Sequence, residues 1–227
     1  MMIKKHIPNT ITLGNLTCGC LGLVACAKGD LKMASYMIWL AAFLDFLDGF
    51  VARMLNVSSP IGKELDSLAD MVTFGLLPSY ILYSMLNRAT TGLWPYVAFI
   101  LALFSALRLA KFNIDERQSN GFIGMPTPAS AFFVSGLVFW PENNVVFHSM
   151  EGLVVISLML AFLLVAPLPV LALKFKDFSI KNNFYRYLVV IVSAVLLVVL
   201  GLKSFPIIIM VYLALSLLAA LTNKPQQ

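Results

Sequence analysis

Long apolar runs, broken by short clusters of charged and turn-forming residues, fill the chain from residue 10 to residue 221. A helix needs about 20 largely apolar residues to cross a bilayer, with about 17 as the lower end. Eight runs approach that length: 10–27, 33–55, 65–86, 93–112, 127–140, 151–173, 187–202 and 205–221. The fifth is short, with room to extend to Phe147; Pro167 and Pro169 are placed to kink the sixth; a tight turn at 203–206 joins the last two. The pattern predicts an all-α, polytopic membrane protein of about eight transmembrane helices. It forms one integral domain over 1–227, with the chemistry-bearing helices at about 8–130 and additional spans at about 151–221.

Composition agrees. The 227 residues are 60% hydrophobic and 12% charged, against about 25% charged in soluble domains. Lys4 and Lys5 precede an apolar run without a small-residue cleavage site and polar segment after it, so a cleavable signal peptide is not expected. Cytoplasmic loops carry an excess of Lys and Arg. With the N-terminus in the cytoplasm, alternation puts Lys4, Lys5, Arg53, Lys63, Arg108, Lys111, Arg117, Lys174, Lys176, Lys181, Arg186 and Lys224 on the inner side. Only Lys28, Lys32, Arg88 and Lys203 fall outside. The formal charge of +5 thus marks a positive inner face and not nucleic-acid binding. A plasma-membrane protein of a prokaryote is the expectation.

Four aspartates stand out against this background. Asp45 and Asp48 lie at the inner end of the second run, Asp66 and Asp70 at the inner start of the third. A carboxylate at the centre of a spanning helix costs about 2.5–3.5 kcal/mol on insertion scales, so four together need compensation. Positions i, i+3, i+4, i+7 and i+8 share a helix face; from Asp45 these are Asp48, Gly49, Ala52 and Arg53. The loop 54–61 is short, which makes the two helices antiparallel neighbours. Oxygen ligands in this number suit Mg²⁺, Mn²⁺ or Ca²⁺. Gly49 and Ala52 leave room for close approach to the backbone, and Arg53 supplies phosphate-matching geometry. Together they describe a phosphate or diphosphate site. The plainer reading, of aspartates on a solvated helix end, explains one pair better than two facing pairs.

The string Asp45-x2-Asp48-Gly49-x2-Ala52-Arg53-x8-Gly62-x3-Asp66-x3-Asp70 resembles the complete signature of the CDP-alcohol phosphatidyltransferases. Pro8-Asn9-x-Ile11-Thr12-x2-Asn15 resembles the start of the first span in that family. The run 66–78, with Met71 after the last Asp, and the segments 108–113 and 124–129 resemble its serine-transferring branch. The resemblance covers about residues 8–130. It implies a metal-dependent transferase, with Mn²⁺ or Mg²⁺ (one or two ions) on Asp45, Asp48, Asp66 and Asp70, and with Asp70 as catalytic base. It implies that Gly49, Ala52, Arg53, Gly62, Asn9, Thr12 and Asn15 bind the CDP-lipid. The reaction implied is transfer of the phosphatidyl group from CDP-diacylglycerol to the hydroxyl of L-serine, with release of CMP at the cytoplasmic face. Membrane lipids and a second copy of the chain, as a homodimer, are the implied partners.

For the serine carboxylate, Arg108 or Lys111 is a candidate partner; Thr73, Asn113 and Thr127 are candidate hydrogen-bonding groups. The competing reading of the two cations is snorkelling at the membrane surface. That of the three polar residues is capping or back-bonding. Two other functions compete with serine transfer. One is the same chemistry on glycerol 3-phosphate, inositol phosphate or choline. The other is a cation- or proton-coupled transporter using its intramembrane carboxylates; transporter sites lie near the midplane in paired repeats, and neither feature is visible here. Cys18, Cys20 and Cys26 read as packing residues, and His6 and His148 as interfacial. Trp39, Trp94 and Trp140 read as interface anchors, and 174–186 as a basic inner loop.

Overall fold

The computed structural model describes residues 2–57, 59–114, 122–171 and 179–222. Arg117, Lys174, Lys176 and Lys224, with the first part of the basic loop, 174–178, lie outside them.

The first helix, α1 (Met2–Ala27), is followed after a tight turn by α2 (Leu31–Met54). Asp30 starts α2 by accepting from the Met33 backbone N–H at 2.9 Å. The third span is one continuous rod in three parts: α3 (Pro60–Asp70), a π-helical turn (Met71–Leu76) and α4 (Leu77–Ala89). The fourth opens as a 3₁₀ turn (Trp94–Phe99) and continues as α5 (Ile100–Ile114). Then come β1 (Phe122–Ile123), α6 (Thr127–Leu137), the short α7 (Val145–His148), α8 (Met150–Val165) and β2 (Pro169–Val170). A final pair, α9 (Ile180–Leu200) and α10 (Phe205–Thr222), is joined by a 3₁₀ turn (Gly201–Ser204).

Helices therefore occupy all eight predicted positions, in an all-α membrane protein. Among the described residues, five stretches are long and apolar enough to cross a bilayer: His6–Ala27, Leu31–Met54, Pro60–Ala89, Trp94–Ile114 and Asn183–Thr222, the last holding both α9 and α10. The sixth run does not kink at its prolines; it ends before them. Ala166 leaves the helical region at φ −61°, ψ 140°, because the residue preceding a proline is disfavoured there. The chain continues as β2, antiparallel to β1 with Phe122 opposite Val170. The fifth run stops at Leu137, and its expected extension becomes the separate α7, capped by Asn144.

The third span is the axis of the bundle. Phe74, Leu77, Ile81, Leu82 and Leu86 are fully buried, enclosed by α1, α2, α6 and α8. By contrast, α9 exposes Val190, Ile191, Val195, Val198 and Val199, the surface expected of a helix facing lipid tails.

Candidate active site

Three local choices assemble the site. Ser59 caps α3 by accepting from Gly62 N–H at 3.0 Å, with Pro60 at the first helical position, where its missing N–H costs nothing. Gly62 lets α3 close on α1: a Cβ there would lie 2.9 Å from Ser59 Oγ and 3.0 Å from Asn9 Oδ1. The antiparallel packing of α1 on α2 then brings Thr12 to Asp48. The Thr12 hydroxyl donates to Asp48 Oδ2 at 2.6 Å, a charge-assisted length.

The carboxylates converge as the spacing predicts. Ligand oxygens of Asp45, Asp48 and Asp66 all lie within 4.8 Å of one another. A hard, all-oxygen donor set of this kind fits a divalent cation. Asp70, one turn beyond Asp66, is within electrostatic reach of Asp45 and Asp66 on one side and of Arg108 on the other. It also accepts from Asn15 Nδ2 at 3.4 Å.

A cleft of about 290 Å³ opens beside this cluster, lined in part by Asp48, Asp66, Gly49, Ala52, Asn9 and Thr12. Gly62 and Lys63 complete its α3 wall. Arg53 is exposed and lays its guanidinium along Gly49, where an added Cβ would sit 3.4 Å from Nη1. Six of the seven positions expected at the CDP-lipid thus border or overhang one cleft. Asn15 does not: it is buried deeper, against Asp70. A larger cavity, about 410 Å³, lies at the opposite ends of the same helices, among Asp30, Lys32, Arg88 and His148. Its Asp30 is committed to capping α2, and it shares no residue with the acidic cluster.

The expected serine-side residues divide. Arg108 is buried, donates to Thr127 Oγ1 at 3.2 Å and has its guanidinium carbon 5.3 Å from the Phe112 ring centre. Thr73 donates to the Asn15 backbone carbonyl at 3.3 Å. Asn113 instead ties helices together: its side chain donates to Ser67 Oγ at 2.9 Å and its carbonyl accepts from Lys63 Nζ at 3.0 Å. Lys111 is exposed at the end of α5 and makes no ion pair with the aspartates. Lys63 was missed as a site residue. Beside Gly62 it looked like one more inner-face cation; the cleft makes it a second positive group near Asp48 and Asp66.

A membrane-embedded bundle with a four-carboxylate signature beside an open cleft is the architecture of a lipid-head-group transferase. The chain belongs to the CDP-alcohol phosphatidyltransferase family, whose profile matches residues 5–167. Similar proteins named CDP-diacylglycerol–serine O-phosphatidyltransferase occur in distant organisms. The Bacillus subtilis protein is 42% identical over 124 residues, covering 55% of this chain and 70% of its own. That of Helicobacter pylori is 31% identical over 210 residues, covering 91% and 87%. The Saccharomyces cerevisiae protein is 33% identical over 165 residues, covering 66% and 59%.

Proposed function

We propose that this protein is a phosphatidylserine synthase, transferring the phosphatidyl group of CDP-diacylglycerol to the hydroxyl of L-serine. The observation that carries the reading is the convergence of Asp45, Asp48 and Asp66 beside a cleft walled by Gly49, Ala52 and Gly62, with Asp70 one turn away. Relatives named for this reaction cover most of the chain.

A divalent cation, Mn²⁺ or Mg²⁺, would be held by Asp45, Asp48 and Asp66 with Asp70 adjoining, and would supply charge neutralisation for the diphosphate. The protein's own groups do the rest. Arg53 and Lys63 bind the phosphate oxygens of the donor, and bare backbone at Gly49 lets them approach. Thr12 fixes the rotamer of Asp48. Asp70 accepts the proton of the serine hydroxyl, the role of a positioned base. The serine oxygen then bonds to the lipid-side phosphorus as that phosphorus releases its bridging oxygen to CMP. The proton passes from Asp70 to solvent. Buried Arg108, held by Thr127, pairs with the serine carboxylate. The site faces the cytoplasm of the plasma membrane, where CMP leaves while phosphatidylserine stays in the bilayer. Homodimer formation is part of the same reading.

The test is CMP release by purified protein given CDP-diacylglycerol and Mn²⁺, with serine, glycerol 3-phosphate, inositol phosphate or choline as acceptor. Release that requires serine and metal, and that falls about 10²–10⁴-fold in Asp70→Asn, is the expected result. Release with another acceptor alone would keep the chemistry and overturn the substrate.

A further inference from the structure

Asn15 is fully enclosed between α1 and the third span. Its Nδ2 faces Asp70 Oδ1, and a carboxylate, which only accepts, dictates that the amide presents its N–H₂ there. The amide oxygen is consequently turned to the other side. Among the described residues, Oδ1 of Asn15 is the one buried side-chain nitrogen or oxygen without a hydrogen-bond partner. An acceptor buried unpaired costs more than an ordinary hydrogen bond returns, so this oxygen calls for a donor the protein itself does not supply.

We infer that Asn15 Oδ1 receives the ammonium group of the acceptor amino acid while Asp70 takes the proton from its hydroxyl. The inference rests on the reading of serine as acceptor and adds the residue that recognises its amine. Two geometric facts support it. A 2-amino alcohol carries ammonium and hydroxyl on adjacent carbons; here an unpaired acceptor and the base sit at adjacent positions, joined by the Asn15 amide. The ammonium has only N–H groups to offer, which suits an oxygen that lacks a donor. Arg108, within electrostatic reach of Asp70 and bonded to Thr127, stands where the carboxylate of the same small molecule would meet it. The rival occupant, a metal ion, fits less well. The oxygens that crowd together are those of Asp45, Asp48 and Asp66, and Asn15 does not line their cleft. Asn15 therefore moves from the CDP-lipid side, where its motif put it, to the acceptor side. Oδ1 is sealed in this arrangement, so acceptor arrival includes a small side-chain rearrangement that uncovers it.

The experiment compares wild type, Asn15→Ala and Asn15→Asp by CMP release. It measures KM for serine, KM for CDP-diacylglycerol, the Mn²⁺ midpoint, and inhibition by 3-hydroxypropionate, which keeps the hydroxyl and carboxylate but has no ammonium. Loss of one hydrogen bond to a charged group predicts a rise in serine KM of about 10- to 100-fold in Asn15→Ala. Inhibition by 3-hydroxypropionate, the KM for CDP-diacylglycerol and the Mn²⁺ midpoint stay near their wild-type values. Asn15→Asp, which restores an oxygen acceptor, keeps serine KM near wild type even where its turnover falls; should Asn15→Ala not fold, a large rise in serine KM for Asn15→Asp overturns the inference by itself. Equal weakening of serine and 3-hydroxypropionate overturns it in favour of Asn15 serving only to hold Asp70. A shifted Mn²⁺ midpoint overturns it in favour of a metal ligand. A wild-type enzyme that releases CMP with a different acceptor overturns the serine reading first, and this inference with it.

Discussion

Gly49→Ala separates what the fold needs from what the substrate needs. Gly49 lies on α2 between Asp48 and Arg53 and lines the cleft. An added methyl there meets Arg53 Nη1 at 3.4 Å and Nη2 at 3.9 Å, and no other heavy atom outside its own helix backbone within 4 Å. These are ordinary contacts with the mobile end of an exposed side chain. Alanine is also the better helix former by about 0.5–1 kcal/mol. The protein alone should thus be unharmed or slightly more stable. The donor should not be: if its diphosphate packs on bare backbone, a methyl group overfills the contact, and overpacking costs about 1–3 kcal/mol. That corresponds to a rise in KM for CDP-diacylglycerol of about 5- to 150-fold, with serine KM little changed. The assay is CMP release against CDP-diacylglycerol concentration, alongside thermal unfolding in detergent. Unchanged KM at unchanged Tm would refute the idea that substrate occupies this space. A lowered Tm would refute the idea that the glycine is spared a structural role. Gly62→Ala provides the contrast, because its Cβ would press on both Ser59 Oγ and Asn9 Oδ1; stability and activity should fall together.

Other perturbations address separate parts of the site. Thr12→Val removes the 2.6 Å hydrogen bond to Asp48 and should weaken Mn²⁺ binding about 10- to 100-fold, as outer-shell losses do; an unchanged Mn²⁺ titration by electron paramagnetic resonance would count against it. Arg108→Lys keeps a charge but loses the planar fork, so serine KM should rise about tenfold while KM for CDP-diacylglycerol holds; equal rises in both would place Arg108 outside the acceptor pocket. Ser59→Ala deletes the α3 cap and should cost about 1 kcal/mol, read as a Tm lower by about 2–4 °C; an unaltered Tm would show that the cap is replaced.

What was legible in the chain was what local periodicity encodes. Asp45, Asp48, Asp66 and Asp70 share faces through i, i+3 and i+4 spacing, and the short 54–61 connection made their helices neighbours. What was not legible depends on contacts between helices far apart in sequence. Thr12 was expected on the CDP-lipid; its position across from Asp48 arises only when α1 packs on α2. Lys63 and Asn113 exchanged apparent roles. The lysine lines the cleft, and the asparagine fastens α5 to α3, because α5 ends beside the start of α3. Hydropathy alone ran the sixth span through Pro167 and Pro169, yet backbone sterics at Ala166 end it first. Nothing in the composition of 71–76 announces a π turn. It coincides with Thr73 reaching the carbonyl of Asn15, a long-range contact.

The π turn also has a consequence for how the enzyme tolerates change. A widened turn acts as one extra residue inserted in a helix, and each residue advances an α-helix by about 100°. Placed directly after Asp70, it puts the carboxylate-bearing half of the third span and its core-forming half out of phase with each other. The direction in which Asp66 and Asp70 look is then set separately from the direction in which Leu77, Ile81 and Leu82 pack. One rod serves two masters, and drift in the hydrophobic wall below need not swing the aspartates away from their partners above.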